Sequence, residues 1–80
     1  MKACIKITLK HGVLDPQGKA IEGALASLGF TGVNEVRQGK YIEVDLAETD
    51  ADMAREQVDR ICKDLLANTV IEKYAFELVP

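Results

Sequence analysis

The sequence predicts an α+β fold, a two-layer βαββαβ sandwich whose four-stranded antiparallel sheet carries both helices on one face, in the ferredoxin-like strand order 4-1-3-2. Three observations predict it. Residues near both ends of the chain alternate apolar and polar, as half-buried strands do. Two longer segments repeat their apolar residues at helical spacing. Between them, two short alternating runs meet at Gly39.

The first strand spans residues 2–10, with Ala3, Ile5, Ile7 and Leu9 on one side and Lys2, Lys6, Thr8 and Lys10 on the other. Asp15 then suits a helix N-cap and Pro16 the first helical position. Ile21, Ala24, Leu25 and Leu28 make one apolar stripe, and Gly29 offers the left-handed residue that ends a helix over 16–28. Val33–Gln38 and Lys40–Leu46 read as the two arms of a hairpin around Gly39. Thr49 and Asp52 have capping-box spacing before a second helix over 51–67, whose apolar face holds Ala54, Val58, Ile61 and Leu65. Asn68 closes that helix, and residues 70–79 alternate again as a fourth strand. This last strand is expected at a sheet edge without an internal proline, open to pairing with a second copy as a homodimer or higher oligomer.

The chain has 80 residues, 48% hydrophobic and 29% charged, so residues 1–80 are expected to form one domain. A chain this short hides only about 60% of its unfolded surface on folding, which favours help from partner subunits. Residues 1–40 carry a net charge of +3 and residues 41–80 a net −6, giving −3 in total. That balance and the four scattered aromatics argue against nucleic-acid binding. No apolar run is long enough for a membrane span, and no signal peptide is expected. Cys4 and Cys62 match neither a disulfide framework nor a metal-binding spacing, which suits a reducing cytoplasm.

The reactive inventory is thin. His11 reads as a solvated loop residue with no nucleophile placed beside it, and Cys62 as an inert thiol on an apolar helix face. Asp45, Glu48, Asp50 and Asp52 lack the glycine and closing glutamate of a calcium loop, and Gly12–Gly18 lacks a phosphate-loop pattern. No catalytic residue, metal or cofactor is therefore expected. Arg37 and Lys40, with Lys6 or Lys10 nearby, form a basic spot that is either a solvated turn or a grip for a partner's carboxylates. Lys6 and Lys10 are also placed to pair with Glu43, Asp45 or Glu77 across the helix-free face.

Four segments then carry a resemblance: Gly12-Val13-Leu14-Asp15-Pro16-Gln17-Gly18 with Ala20; Leu28-Gly29-Phe30; Val36-Arg37-Gln38-Gly39-Lys40; and Leu66-Ala67-Asn68-Thr69-Val70-Ile71-Glu72. In this order they resemble PurS, the small-subunit family of phosphoribosylformylglycinamidine synthase. The resemblance implies a noncatalytic role in purine biosynthesis. A glutaminase subunit releases ammonia, an ATP-dependent synthetase subunit uses it to make the amidine, and the small subunit bridges them as an oligomer. It also implies partner contacts through Gln17, Arg37, Lys40 and Glu72, with Asp15, Pro16, Gly39 and Asn68 shaping turns. Thr69 departs from the family's usual proline after the asparagine, restoring a backbone donor there.

The alternative with the same element order is an ACT-like regulatory module binding amino acids near the first loop. An acylphosphatase would need an arginine in that loop, and a metal-transfer domain paired cysteines; the loop has neither.

Overall fold

The computed structural model describes residues 1–80. Its elements are β1 (Lys2–Leu9), α1 (Pro16–Ser27), β2 (Gly39–Asp45), α2 (Ala51–Ile61) and β3 (Glu72–Val79), with one π-helical turn, Cys62–Leu66, continuing α2. The sheet has three antiparallel strands in the order β2-β1-β3. Ile5 lies opposite Ile42 on one side and Phe76 on the other.

The expected four-stranded sheet is therefore corrected to three. Residues 33–38 run without ladder pairing, so the hairpin around Gly39 is absent. Two causes are visible. A single residue leaves no room for a two-residue hairpin turn between the runs. The N–H groups that a ladder would use are already taken, Val36 donating to Glu22 Oε2 at 3.1 Å and Gln38 to Asp15 Oδ2 at 2.7 Å. Gly39 instead opens β2 opposite Thr8, where an added Cβ would sit 2.5 Å from the Ile7 carbonyl oxygen.

The core forms where one sheet face meets α2. Ala3, Ile5 and Ile7 of β1 pack with Leu46, Ala54, Val58, Cys62 and Ala67. Ala54 and Val58 follow the helical repeat, and the small Ala54 side chain lets the helix approach the sheet closely. The N-cap of α2 is Asp50 rather than Thr49: its carboxylate accepts from Asp52 and Met53 N–H, while Glu48 accepts from Thr49 and Asp50. The opposite flank of the helix is tied to β3 by Tyr74, whose hydroxyl donates to Asp59 at 2.5 Å, and Asp59 also pairs with Lys63 at 2.9 Å.

The expectation of both helices on one sheet face is also corrected, because α1 contributes no residue to the core. Its only buried residue is Gly18, and it extends from the sheet as part of an arm. The radius of gyration is 16.0 Å and the extents 49 × 26 × 14 Å, against about 12 Å of radius for a compact chain of this length. Gly29 at φ 92° ends α1, and Phe30 N–H closes back on the Leu25 carbonyl at 3.0 Å. On the helix-free face Lys2 pairs at 2.5 Å with Glu43, diagonal to its direct partner Asp45; Lys6 stands opposite Tyr41 and Ala75 and makes no ion pair, the diagonal Glu43 being held by Lys2.

Candidate functional site

Most of the polar residues singled out in the sequence converge where the arm joins the sheet. Pro16 opens α1, and Asp15 caps it by accepting from Gly18 N–H at 2.9 Å through one carboxylate oxygen. The other oxygen takes Gln38 N–H, so one buried side chain joins the start of the helix to the start of β2. These two bonds, Gln38 first and Gly18 second, hold the Asp15 carboxyl below its ordinary pKa by favouring the charged form. Gly18 is required at this joint, since a Cβ there would run into the Val36 carbonyl oxygen and come within 2.8 Å of Asp15 Oδ2.

Arg37 completes the clasp. Its guanidinium donates to the carbonyls of Leu9 and Val13 at 3.3 Å and of Lys10 at 3.2 Å, and stands 3.7 Å from Glu35. A fork with five donors suits this task, gathering carbonyls from the end of β1 and from the loop that follows it. Glu22, holding Val36 N–H, fastens the returning segment farther along α1.

Below the clasp a crevice of about 530 Å³ is lined by Asp15, Gln17, Gln38, Lys40, Glu72 and the edge of Ile7, among others. Lys40 and Glu72 face each other across β1 at 3.9 Å, and the Glu72 side chain is mostly buried. Glu72 Oε1 also accepts Asn68 N–H at 2.8 Å, while Asn68 Oδ1 accepts Val70 N–H at 3.2 Å. That Asn68–Glu72 turn holds Val70 out at 80% exposure. Of the four residues expected at partner contacts, Arg37, Lys40 and Glu72 are thus engaged within the chain, and Gln17 stands exposed at the crevice. His11 lies in a neighbouring cleft with Lys19, Glu35 and Arg37. Cys4 sits on the other sheet face between Glu43 and Glu77. Cys62 is buried, and burial pushes its thiol pKa up, away from the reactive thiolate.

Sequence reasoning missed Glu22, Gln38 and the Asp59–Tyr74 tie. The Asp59–Lys63 pair has readable i,i+4 spacing, whereas the others depend on contacts between segments distant in sequence.

Nothing in this arrangement assembles a nucleophile beside a base. The polar groups are spent on holding an apolar helix clear of its own sheet, with Leu28 73% and Phe30 58% exposed. Fold and site together define an assembly component, a small chain shaped to be completed by other chains. The PurS family profile, described as phosphoribosylformylglycinamidine (FGAM) synthase, matches residues 2–80. The chain belongs to the PurS family. It is 51% identical over 74 residues to phosphoribosylformylglycinamidine synthase subunit PurS of Synechocystis, covering 92% of this chain and 74% of that one. The solved Methanocaldococcus jannaschii PurS, one of the subunits of formylglycinamide ribonucleotide amidotransferase in the purine biosynthetic pathway, superposes with a TM-score of 0.85 at 43% identity, covering 95% and 92% of the two chains. A chain in the solved PurLQS structure of Thermotoga maritima gives a TM-score of 0.88 at 31% identity, covering 98% and 95%.

Proposed function

We propose that this chain is the noncatalytic small subunit of phosphoribosylformylglycinamidine synthase in purine biosynthesis, bridging the glutaminase and ATP-dependent synthetase subunits and supporting ammonia transfer between them. The observation that carries the reading is the match of the whole arm-bearing fold to a chain of the PurLQS assembly. The physical basis is the distribution of side chains: polar residues build a rigid clasp, and apolar ones face outward on the arm and on α2. Gln17, Arg37, Lys40 and Glu72 lie at or beside the crevice, where a partner loop would meet both charges of the Lys40–Glu72 pair.

Self-association is part of the same reading. The sheet leaves outer edges on β2 and β3, and the exposed apolar residues Leu14, Leu28, Phe30, Leu65 and Val70 favour burial between chains. No helix of the chain is long and apolar enough to cross a membrane, and the reduced cysteines suit the cytoplasm. Co-elution on size-exclusion chromatography tests the bridge. Glutaminase and synthetase subunits from the same source should form one complex only when this chain is added; a stable complex without it overturns the bridging role.

A further inference from the structure

Glu72 is the one carboxylate of the crevice with an oxygen left over. Its Oε1 accepts Asn68 N–H at 2.8 Å, while Oε2 receives no hydrogen bond from the chain and has only Lys40 Nζ near it, at 3.9 Å and beyond hydrogen-bond reach. The strand register accounts for the loose fit. Lys40 faces Ile7 and Glu72 faces Leu9, on the two strands that flank β1 and so stand about 9.6 Å apart, and only a stretched lysine spans that gap. The two groups also differ in freedom: the Glu72 side chain is 14% exposed and that of Lys40 64%, so the lysine can swing into water and the carboxylate cannot. Asp15 adds a second negative charge to the lining, held by two backbone N–H groups that leave the charge in place. With two carboxylates against one ammonium the crevice is net negative. Arg37, the next cation, acts on Asp15 from the neighbouring cleft and is itself paired with Glu35.

We propose that this crevice is the socket for an arginine side chain carried by a partner subunit of the synthase, whose guanidinium takes Glu72 Oε2 and displaces Lys40. The inference rests on the bridging reading above and names the chemistry of its contact. Half-buried Leu9 and the ring of Pro16 give an apolar wall for an arginine stem, and the exposed amides of Gln17 and Gln38 supply acceptor oxygens at the mouth for the remaining N–H groups. A planar, weakly hydrated fork can serve Oε2 and an amide oxygen together, which the single ammonium of a lysine does less well. A partner's carboxylate in the same place would face both Glu72 and Asp15, and like charges oppose it. The positive end of α1 does not reverse this preference, because Asp15 already caps it. Lys40 has a part in the free chain: it keeps the mostly buried Glu72 from standing unpaired. It yields readily, since a stretched pair with one partner in water contributes little.

Fluorescently labelled wild-type chain and the variants Glu72→Gln, Lys40→Met, Gln17→Glu and Gln17→Lys, each titrated with the synthetase subunit, the glutaminase subunit and both together, test the socket. Circular dichroism verifies folding. Glu72→Gln keeps an acceptor for Asn68 N–H and removes the charge, and the Gln17 variants alter only an exposed residue at the mouth. Glu72→Gln should bind about tenfold more weakly or worse, and Gln17→Lys should also weaken binding, whereas Lys40→Met and Gln17→Glu should bind as tightly as the wild type or more tightly. Unchanged affinity of Glu72→Gln overturns the socket and leaves the bridging reading standing. Weaker binding of Lys40→Met overturns it as well, since the lysine then serves the partner directly. Light scattering should give every variant the mass of the wild type; a lowered mass in Glu72→Gln assigns the crevice to contacts between copies and overturns the socket. A wild-type chain that binds neither subunit, nor the two together, overturns the bridging reading itself.

Discussion

Two glycines on α1 differ in a way that the structure makes measurable. At Gly23 a Cβ would meet nothing within 4 Å, so Gly23→Ala replaces a flexible helical residue by a better helix former and should stabilise by about 0.5–1 kcal/mol. At Gly18 a Cβ would overlap the Val36 carbonyl and stand 3.0 Å from Asp15 Cγ, so the returning segment and the capping carboxylate must both give way. Overpacking of this kind costs about 1–3 kcal/mol and outweighs the propensity gain. For a domain of this size 1 kcal/mol moves the melting temperature by about 4–8 °C. Thermal melts at one protein concentration should therefore show Gly23→Ala above the wild type and Gly18→Ala below it. Hydrogen exchange at Gln38 and Val36 should quicken only in Gly18→Ala, because those amides are held by the arm's carboxylates. Equal stabilisation by both substitutions would refute the close approach of α1 to the returning segment.

Other expectations follow from the same contacts. Ile5→Ala removes a fully buried side chain at the centre of the sheet and should cost about 2–5 kcal/mol in chemical denaturation. Asp15 has a lowered native pKa, so its stabilisation is complete above the ordinary carboxylate pKa of about 4 and disappears as pH falls through the lower native value. Asp15→Ala should flatten that acid limb of the stability profile, and an unchanged limb would assign it to other carboxylates. Tyr74 is held protonated by its bond to Asp59, so this tie contributes below the ordinary tyrosine pKa of about 10 and is lost as pH rises through the raised native value. Tyr74→Phe should remove that alkaline component in pH-dependent melts. Arg37→Glu withdraws the donors to Leu9, Lys10 and Val13 and should weaken assembly with the partner subunits while preserving the sheet's circular dichroism; unchanged assembly removes Arg37 from the contact.

The strands at either end and the two helices were legible because their apolar spacing is strong over eight or more residues. Residues 33–38 were not. They alternate like a strand, but their N–H partners are carboxylates 14 and 23 residues earlier, and alternation cannot see such competition. The stripe on α1 showed which face is apolar without showing what covers it, so the arm's projection was invisible in one chain's sequence. Arg37 and Lys40 read as one basic spot, but tertiary geometry gives them separate acceptors: the carbonyls of Leu9, Lys10 and Val13 for one and Glu72 for the other. Gly39 drew attention as a turn residue, yet its need comes from the Ile7 carbonyl across the strand pair. The family resemblance read from four short segments carried further than the element pattern, because those segments bracket the clasp and the Asn68 turn.

The most direct test of the bridging role is reconstituted amidine formation by the synthetase and glutaminase subunits, with and without this chain, supplied with glutamine in one series and ammonium in the other. A bridge for nitrogen transfer should be required with glutamine and nearly dispensable with ammonium. Equal dependence on the chain with both nitrogen sources, or no dependence with either, would contradict that role.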